Sequence, residues 1–166
     1  MNKLLVSACL LGDPVRYDGQ SKPVRHRGLA RLLDASRVIP FCPEVAGGLP
    51  VPRPAAEIVG GDGAAVIAGE ARVVTREGAD VSDGFLSGAR QALALCRQHR
   101  VKVAVLTESS PSCGSSRIYD GSFTRTAAAG SGVTAALLAR HGIAVFNQHQ
   151  LDQALARLES YSDECG

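Results

Sequence analysis

Four short apolar runs recur along the chain and predict buried β-strands. They cover residues 4–8, 38–41, 101–107 and 143–146. Each run is apolar almost throughout instead of alternating with polar residues, and this pattern is typical of strands covered on both faces of a parallel sheet.

Helical patterns lie between and after these strands. The longest is at residues 83–99, where apolar side chains fall on one stripe after a Ser82-Asp83 capping signal. Further helices are predicted at residues 27–35, 131–141 and 148–160, the last with Asn147 as its cap. Strands that alternate with helices predict a single α/β domain over residues 1–166, with a mostly parallel, Rossmann-like sheet and flanking helices. The carboxyl ends of such strands are where open α/β sheets bind ligands.

The segment 43–82 departs from this alternation, because it is rich in glycine and proline. We interpret it as an insertion whose first part forms a loop over the site. Within it, Val66-Ile67 and Arg72-Val73-Val74 predict a hairpin around Gly69. No linker divides the chain into two domains.

Charge and hydropathy narrow the class of protein. The formal net charge is only +2, so no large basic field indicates wrapping of DNA, although a local patch for one phosphate fits. The N-terminal apolar run is too short for a signal peptide, and no stretch of eighteen apolar residues predicts a membrane span. We expect a cytoplasmic protein with a small-molecule partner; the sequence does not indicate its oligomeric state.

Five cysteines, an odd number in a reducing compartment, argue against structural disulfides. Three of them follow predicted strands: Cys9 closes the first, Cys42 closes the second, and Cys113 lies just beyond the third. Because parallel strands share a direction, these three thiols are expected to meet at one edge of the sheet. Cys96 lies on an apolar helix stripe and Cys165 in a polar tail, so both are expected to be structural or exposed.

Three thiolates form an incomplete tetrahedral set, which leaves two interpretations open. One is a zinc ion with a free position, as in a zinc-dependent hydrolase of a small anion. The other is an iron–sulfur cubane with one iron left without a protein ligand. The absence of a CxxC pair argues against a zinc ribbon and a thioredoxin-type redox pair. A non-enzymatic cluster-binding sensor would need a basic recognition helix, and the sequence shows none.

Polar residues in the same loops are candidates for catalysis and substrate binding. Glu44 and Ser110 stand close to cysteines in sequence and are the candidates for handling a proton. Arginine forms bidentate contacts with phosphate, and a Gly-Ser stretch offers donors to an anion. The candidate substrate-binding residues are Arg16, Asp18, Lys22, Arg53, Ser112, Ser115 and Arg117. Together they indicate an anionic substrate.

Three separate motifs, in the right order, resemble the thiouracil desulfidase (TudS) family, once known only as a domain of unknown function. The matching segments are Ser7-Ala8-Cys9-Leu10-Leu11-Gly12 with Arg16-Tyr17-Asp18-Gly19, Cys42-Pro43-Glu44-Val45 with residues 47–53, and Glu108-Ser109-Ser110-Pro111-Ser112-Cys113-Gly114. The resemblance runs from the first strand to about residue 146. One departure is Val15, at a place where many relatives carry a further cysteine.

The resemblance implies a specific activity. Members of this family bind a [4Fe-4S] cluster through three cysteines and desulfurise thiouracils, including thiolated uridine monophosphate, to uracil products and hydrogen sulfide without net electron transfer. Carried over by motif, the cluster ligands are Cys9, Cys42 and Cys113, with one iron not bound by protein. The catalytic residues are then Glu44 and Ser110.

Overall fold

The computed structural model of the chain describes residues 2–163, apart from the side chains of the last two. The strands, in chain order, are β1 (Leu4–Ser7), β2 (Val38–Phe41), β3 (Ala56–Val59), β4 (Arg72–Thr75), β5 (Val103–Val105), β6 (Arg117–Tyr119), β7 (Ala127–Ala129) and β8 (Ala144–Phe146). The α-helices are α1 (Arg27–Asp34), α2 (Pro43–Ala46), α3 (Gly63–Ile67), α4 (Ser82–His99), α5 (Val133–Arg140) and α6 (Leu151–Asp163), and a short 3₁₀ helix covers Ala8–Leu11.

A four-stranded parallel sheet organises these elements, in the order β2-β1-β5-β8. Leu4 on β1 stands opposite Val38 on one side and Val103 on the other. All four residues of β1 are buried, which explains why its sequence is apolar without alternation. The predicted mixed α/β fold with a parallel sheet is confirmed.

Helices cover both faces of this sheet. On one face, Leu4 and Val6 pack with Leu29 of α1 and Leu158 of α6. On the other face, Leu5 packs in a cluster with apolar residues of α4 and α5, including Leu93 and Leu138. Successive residues of β1 thus enter two separate cores, as the alternating direction of strand side chains requires.

The structure corrects the predicted capping residues of two helices, α4 and α6. Ser82 is the first residue of α4 and not its cap, and its hydroxyl accepts a hydrogen bond from Val73 N at 2.9 Å. Helix α6 begins at Leu151, later than predicted. The residues before it form a turn instead, in which the Asn147 side chain accepts a hydrogen bond from His149 N at 2.9 Å.

The hairpin predicted around Gly69 is wrong. Val66 and Ile67 belong to α3, which begins after Asp62, and the Asp62 carboxylate accepts a hydrogen bond from Ala65 N at 3.1 Å. The partner of β4 is instead β3, and these two strands form an antiparallel hairpin. A second antiparallel hairpin, β6–β7, was not predicted from the sequence. Both hairpins bury apolar residues in a third core, which contains Ile58, Val73, Phe85 and Ile118.

No helix within residues 2–163 is both long and apolar enough to cross a membrane.

Candidate active site

A cavity of about 390 Å³ lies at the carboxyl edge of the parallel sheet. After β1 the chain builds β2 on one side, and it later returns to build β5 on the other side. Loops that leave β1 and β5 therefore diverge and open a crevice between them, as at the switch point of other open α/β sheets. Cys9, Cys42 and Cys113 all line this cavity, and all three are free thiols.

Neighbouring strands hold the Cys9 thiol in place. Cys9 lies in the 3₁₀ helix that follows β1, and its Sγ is 3.0 Å from Thr107 Oγ1, just beyond β5. Thr107 N in turn donates to Ser7 Oγ at 3.0 Å. The Ser7 hydroxyl also acts on the sulfur of Cys113, where its hydrogen bond lowers the pKa. These contacts join two of the three thiols through the ends of β1 and β5.

Cys42 is positioned by the close packing of α2 against α4. It caps α2, and Pro43 occupies the first helical position, where proline is favoured. A Cβ on Gly88 of α4 would clash with the Pro43 carbonyl, so only glycine allows this approach. Burial raises the pKa of the Cys42 thiol above its ordinary value, and the charge of Glu44 adds to that effect.

The loop that carries Cys113 is built around Ser110. Ser110 Oγ accepts hydrogen bonds from the backbone N–H groups of Ser112 and Cys113, both at 3.1 Å. With its lone pairs so occupied, the hydroxyl keeps its proton as a donor, and Ser110 lines the cavity. Burial raises the pKa of Cys113 strongly, and the negative charges of Glu44, Cys42 and Cys9 raise it further.

A second carboxylate, Glu108, holds the outer part of this loop. It accepts hydrogen bonds from backbone N–H groups of Ser115, Ser116 and Arg117 at 3.0–3.2 Å. Asn147 Nδ2 donates to it at 2.7 Å. Burial alone would raise the pKa of Glu108, but these donors favour the charged form and lower it to about 2. The carboxylate is therefore a structural anchor in its ionised form.

We expect Glu108→Gln to destabilise the fold at neutral pH, because an amide NH₂ would then face several N–H donors. Since the pKa of Glu108 falls from 4.5 to about 2 on folding, its stabilisation is complete above pH 4.5 and is lost as the pH falls toward 2. Thermal unfolding between pH 7 and pH 3 measures this difference. Glu70→Gln, at an exposed position, is the control. Equal pH dependence in Glu108→Gln and the unmodified protein would contradict the assignment.

Glu44 and Arg53 form a largely buried pair on the cavity wall. Arg53 Nε lies 3.3 Å from Glu44 Oε1, and their side chains are 5% and 16% exposed. Arg53 also donates to the carbonyls of Pro50 and Val15, at 3.1 and 2.9 Å. Burial raises the pKa of Glu44, while the charge and hydrogen bond of Arg53 oppose that rise. A carboxylate whose pKa is raised above its ordinary value is a better proton acceptor, which suits general-base catalysis.

The structure brings only some of the predicted substrate-binding residues to the cavity. Arg16, Lys22 and Arg53 line it, together with Glu44 and Ser110. Arg53 uses its guanidinium to hold Glu44 and two carbonyls, so its contacts favour a positioning role over contact with substrate.

Four predicted residues do not line the cavity: Asp18, Ser112, Ser115 and Arg117. Ser112 is fully buried, and its hydroxyl lies 2.9 Å from that of Thr134. Ser115 donates both its N–H and its hydroxyl to Glu108. Asp18 accepts from Gln20 N within its own exposed turn, and Arg117 lies exposed at the start of β6. Their assignment to the substrate stays a prediction that these contacts do not support.

Other residues line the cavity that were not predicted from the sequence. They belong to the two antiparallel hairpins, whose strand pairing was not predicted. Arg76 follows β4 and Glu57 lies on β3, whereas Tyr119 ends β6 and Arg125 lies in the loop after it. Thr107 falls within the predicted strand at residues 101–107, and its contact with Cys9 was not predicted. Cys96 is buried in the core with a pKa raised to about 11 by burial, as expected of a structural thiol, and Cys165 lies outside the described residues.

The donor set of the cavity fits an iron–sulfur cluster. Three thiols are grouped beside Glu44. Burial and nearby negative charge disfavour the charged forms of Cys42 and Cys113, and a bound metal centre would remove that penalty. Among residues 2–163 no group of three or more His, Cys, Asp or Glu is arranged to hold a metal ion. A zinc ion takes all its thiolates at about 2.3 Å from one atom, whereas a cubane takes them on different irons and accepts a wider spacing.

Comparisons with known proteins agree on one family. The family model for 2-thiouracil desulfurase matches residues 4–150. The uncharacterized protein YbbK of Bacillus subtilis (strain 168) is 40% identical over 152 residues, which cover 92% of this chain and 99% of YbbK. A solved structure of the [4Fe-4S]-dependent thiouracil desulfidase TudS is 50% identical, with a TM-score of 0.87, and the match covers 96% of this chain and 99% of TudS.

Proposed function

Because the chain belongs to the 2-thiouracil desulfurase family, we propose that it is a [4Fe-4S]-dependent enzyme that cleaves the carbon–sulfur bond of thiouracil compounds. The resemblance carried by the sequence motifs is confirmed by the family match and by the 50% identity to TudS. The observation that carries the proposal is the grouping of three free cysteines, from three separate loops, on one cavity.

Cys9, Cys42 and Cys113 are the residues that would hold the cluster. Each lies at or beyond the carboxyl end of a parallel strand, and each is positioned by its own or a neighbouring segment of the chain. When bound through three thiolates, a cluster leaves one iron free of protein ligands, and this iron supplies a Lewis acid and an acceptor for sulfur.

The overall reaction is a hydrolysis in which oxygen from water replaces sulfur on the pyrimidine ring. One carbon–oxygen bond forms, one carbon–sulfur bond breaks, and the two protons of water leave with the sulfur as hydrogen sulfide. No electron is gained or lost. The chain must therefore bind the base, remove a proton from water and donate a hydrogen bond where charge develops.

Glu44 is the residue we assign to the proton from water. Its carboxylate lies on the cavity wall, and its charge acts on both Cys42 and Cys113, so it stands beside the expected cluster. Arg53 keeps the carboxylate oriented by an Nε contact of 3.3 Å. Ser110, whose hydroxyl proton is free to donate, is assigned to orient the water or the ring.

The substrate we favour is a thiolated uracil or its nucleotide. Two tyrosines, Tyr17 and Tyr119, line the cavity and offer flat surfaces for a pyrimidine ring. Arg16 and Lys22 add positive charge to the same wall. The four cysteines within residues 2–163 are free thiols, which supports a reducing, cytoplasmic location for the protein.

The test is anaerobic reconstitution with iron and sulfide, followed by an assay with a panel of thiouracils and thiolated uridine monophosphates. We expect bound iron and acid-labile sulfide in about equal amounts, loss of the thiocarbonyl absorbance, and release of hydrogen sulfide. Zinc in place of iron, with turnover unaffected by chelation of iron, would support the zinc hydrolase instead. A cluster without turnover of any thiolated base would support a sensor.

A loss of activity in air is also expected, because an iron without a protein ligand is open to oxidants. The measurement follows iron content and turnover during exposure to air and after anaerobic addition of iron and sulfide. Recovery on reconstitution is the expected outcome. Full activity after prolonged exposure to air with a strong iron chelator would contradict the cluster assignment.

A further inference from the structure

The loop between β6 and β7, residues 120–126, has a strained backbone conformation at two residues that are not glycine. Phe123 and Arg125 adopt left-handed φ angles of 59° and 60°, although neither is glycine. Such conformations are unfavourable for side chains of this size, and they persist only where the surroundings impose them. Strain of this kind accumulates at binding sites.

A buried carboxylate imposes the conformation. Glu57 on β3 is only 8% exposed, and it accepts hydrogen bonds from Gly121 N at 3.0 Å and from Phe123 N at 3.3 Å. The hydroxyls of Ser122, Thr124 and Thr126 form a further chain, with successive oxygens 2.6 and 2.7 Å apart. Glu57 thus holds the loop from the side of β3, and the hydroxyl contacts link residues along the loop.

This loop places two arginines on the cavity. Arg125 lines the cavity directly. Arg76, which follows β4 and also lines the cavity, has its guanidinium 5.8 Å from the centre of the Phe123 ring. A guanidinium over an aromatic face is attracted to it, so the ring of Phe123 restrains Arg76 while leaving its N–H groups available.

The positive charge of these arginines is not balanced by the acids of the cavity. Glu44 is paired with Arg53, Glu57 with loop amides, and Glu108 with backbone and side-chain donors. Within residues 2–163, Arg76 and Arg125 form no hydrogen bond or ion pair through their side chains, and both are exposed. Within residues 2–163, the cavity therefore presents both of these guanidiniums, like that of Arg16, without an anionic partner.

These two arginines also lie on different elements from the cysteines. Arg76 follows β4 and Arg125 lies between β6 and β7, whereas Cys9 and Cys42 follow strands of the parallel sheet. A group that binds them would lie away from the reacting sulfur. In a thiolated pyrimidine nucleotide, the group that is remote from the ring and anionic is the 5′-phosphate, and the planar fork of arginine matches phosphate oxygens.

From these contacts we propose that Arg125 and Arg76, set by the Glu57-anchored loop 120–126, bind the 5′-phosphate of a thiolated uridine nucleotide and select it over the free base. The inference rests on the proposed function, and it assigns the phosphate to two residues outside the substrate-binding set predicted from the sequence. Neither arginine is a catalytic residue, since neither contacts the reacting atoms.

The experiment compares Arg125→Ala, Arg76→Ala and the double variant with the unmodified holoenzyme. For thiolated uridine monophosphate we expect KM to rise at least about tenfold in each single variant and more in the double variant, as for loss of a charged contact. For thiouracil, kcat and KM should stay unchanged, because the base has no phosphate. Arg125→Lys should recover part of the nucleotide preference, and Arg90→Ala, an exposed arginine on α4, is the matched control.

A binding measurement separates this inference from the proposed function. Calorimetric titration of the reconstituted protein with uridine monophosphate and with uracil needs no turnover, and we expect the two variants to weaken binding of the nucleotide alone. If no thiolated compound is turned over but this pattern holds, the proposed function fails and the phosphate site stands. Equal losses for base and nucleotide, or an unchanged nucleotide preference in the double variant, would overturn the phosphate site.

Discussion

Replacing Cys9, Cys42 or Cys113 individually with serine is expected to abolish stable binding of the cluster and with it at least about 99% of turnover. Changes to residues that merely support metal ligands cost about 10–100-fold in affinity or activity, so loss of a ligand should cost more. Serine is close in size to cysteine, and the three side chains lie on the cavity wall, so we expect the fold to survive. The measurements are iron and acid-labile sulfide per chain, visible absorption and sulfide release.

The control for this series is Cys96→Ala. Cys96 is a free thiol like the others, but it is buried between α4 and the sheet and does not line the cavity. We expect its iron content and turnover to match those of the unmodified protein, with a modest loss of thermal stability from the small cavity created. A serine variant at Cys9, Cys42 or Cys113 that keeps full iron and turnover would remove that residue from the ligand set.

Glu44→Gln is expected to keep the cluster and lose about 100-fold or more of kcat, which is the typical contribution of a general base. Glutamine has nearly the same shape as glutamate and can still accept a hydrogen bond from Arg53. In the unmodified protein, Arg53 Nε lies 3.3 Å from Glu44 Oε1. Glutamine cannot take a proton from water. Unchanged absorption spectra together with slow turnover would show that Glu44 acts in the chemical step and is not needed to assemble the cluster.

The pH profile provides an independent check on Glu44. The base works in its ionised form, so activity should rise with pH through its pKa, which burial places above that of an ordinary carboxylate. Arg53 lowers that pKa, so Arg53→Gln should move the acid limb of kcat to higher pH, and Arg53→Lys, which keeps the charge, should move it less. Near-normal turnover in Glu44→Gln with a full cluster would instead contradict the assignment of Glu44 as the general base.

The correspondence between sequence and structure differs between the parallel sheet and the two antiparallel hairpins. The four strands of the parallel sheet were predictable, because each consists of a continuous apolar run, as in β1, which is buried on both faces. The hairpins were not, since their strands carry mixed polar and small residues: β7 is three alanines, and β6 is the sequence Arg-Ile-Tyr. In such short strands the pairing partner decides the structure, and local propensity does not.

In the candidate site, too, some features were predictable from the sequence and others were not. The positions of Cys9, Cys42 and Cys113 after apolar runs were sufficient to predict that they meet, because strand direction is shared throughout a parallel sheet. The function of individual arginines was not predictable. Arg53 and Arg125 look alike in sequence, yet one is buried against Glu44 and two carbonyls while the other is exposed on a strained loop.

The sequence by itself determined the fold class, the three cysteines and the family to which the chain belongs, because these depend on hydrophobic pattern and on motifs that are local in the chain. Only the tertiary structure decided which polar residues face the cavity. Ser112 stands next to Cys113 in sequence but points into the core toward Thr134, whereas Thr107 and Arg76 reach the cavity from distant segments. A side chain's environment is set by the elements that pack around it, and most of those contacts join residues far apart in the chain.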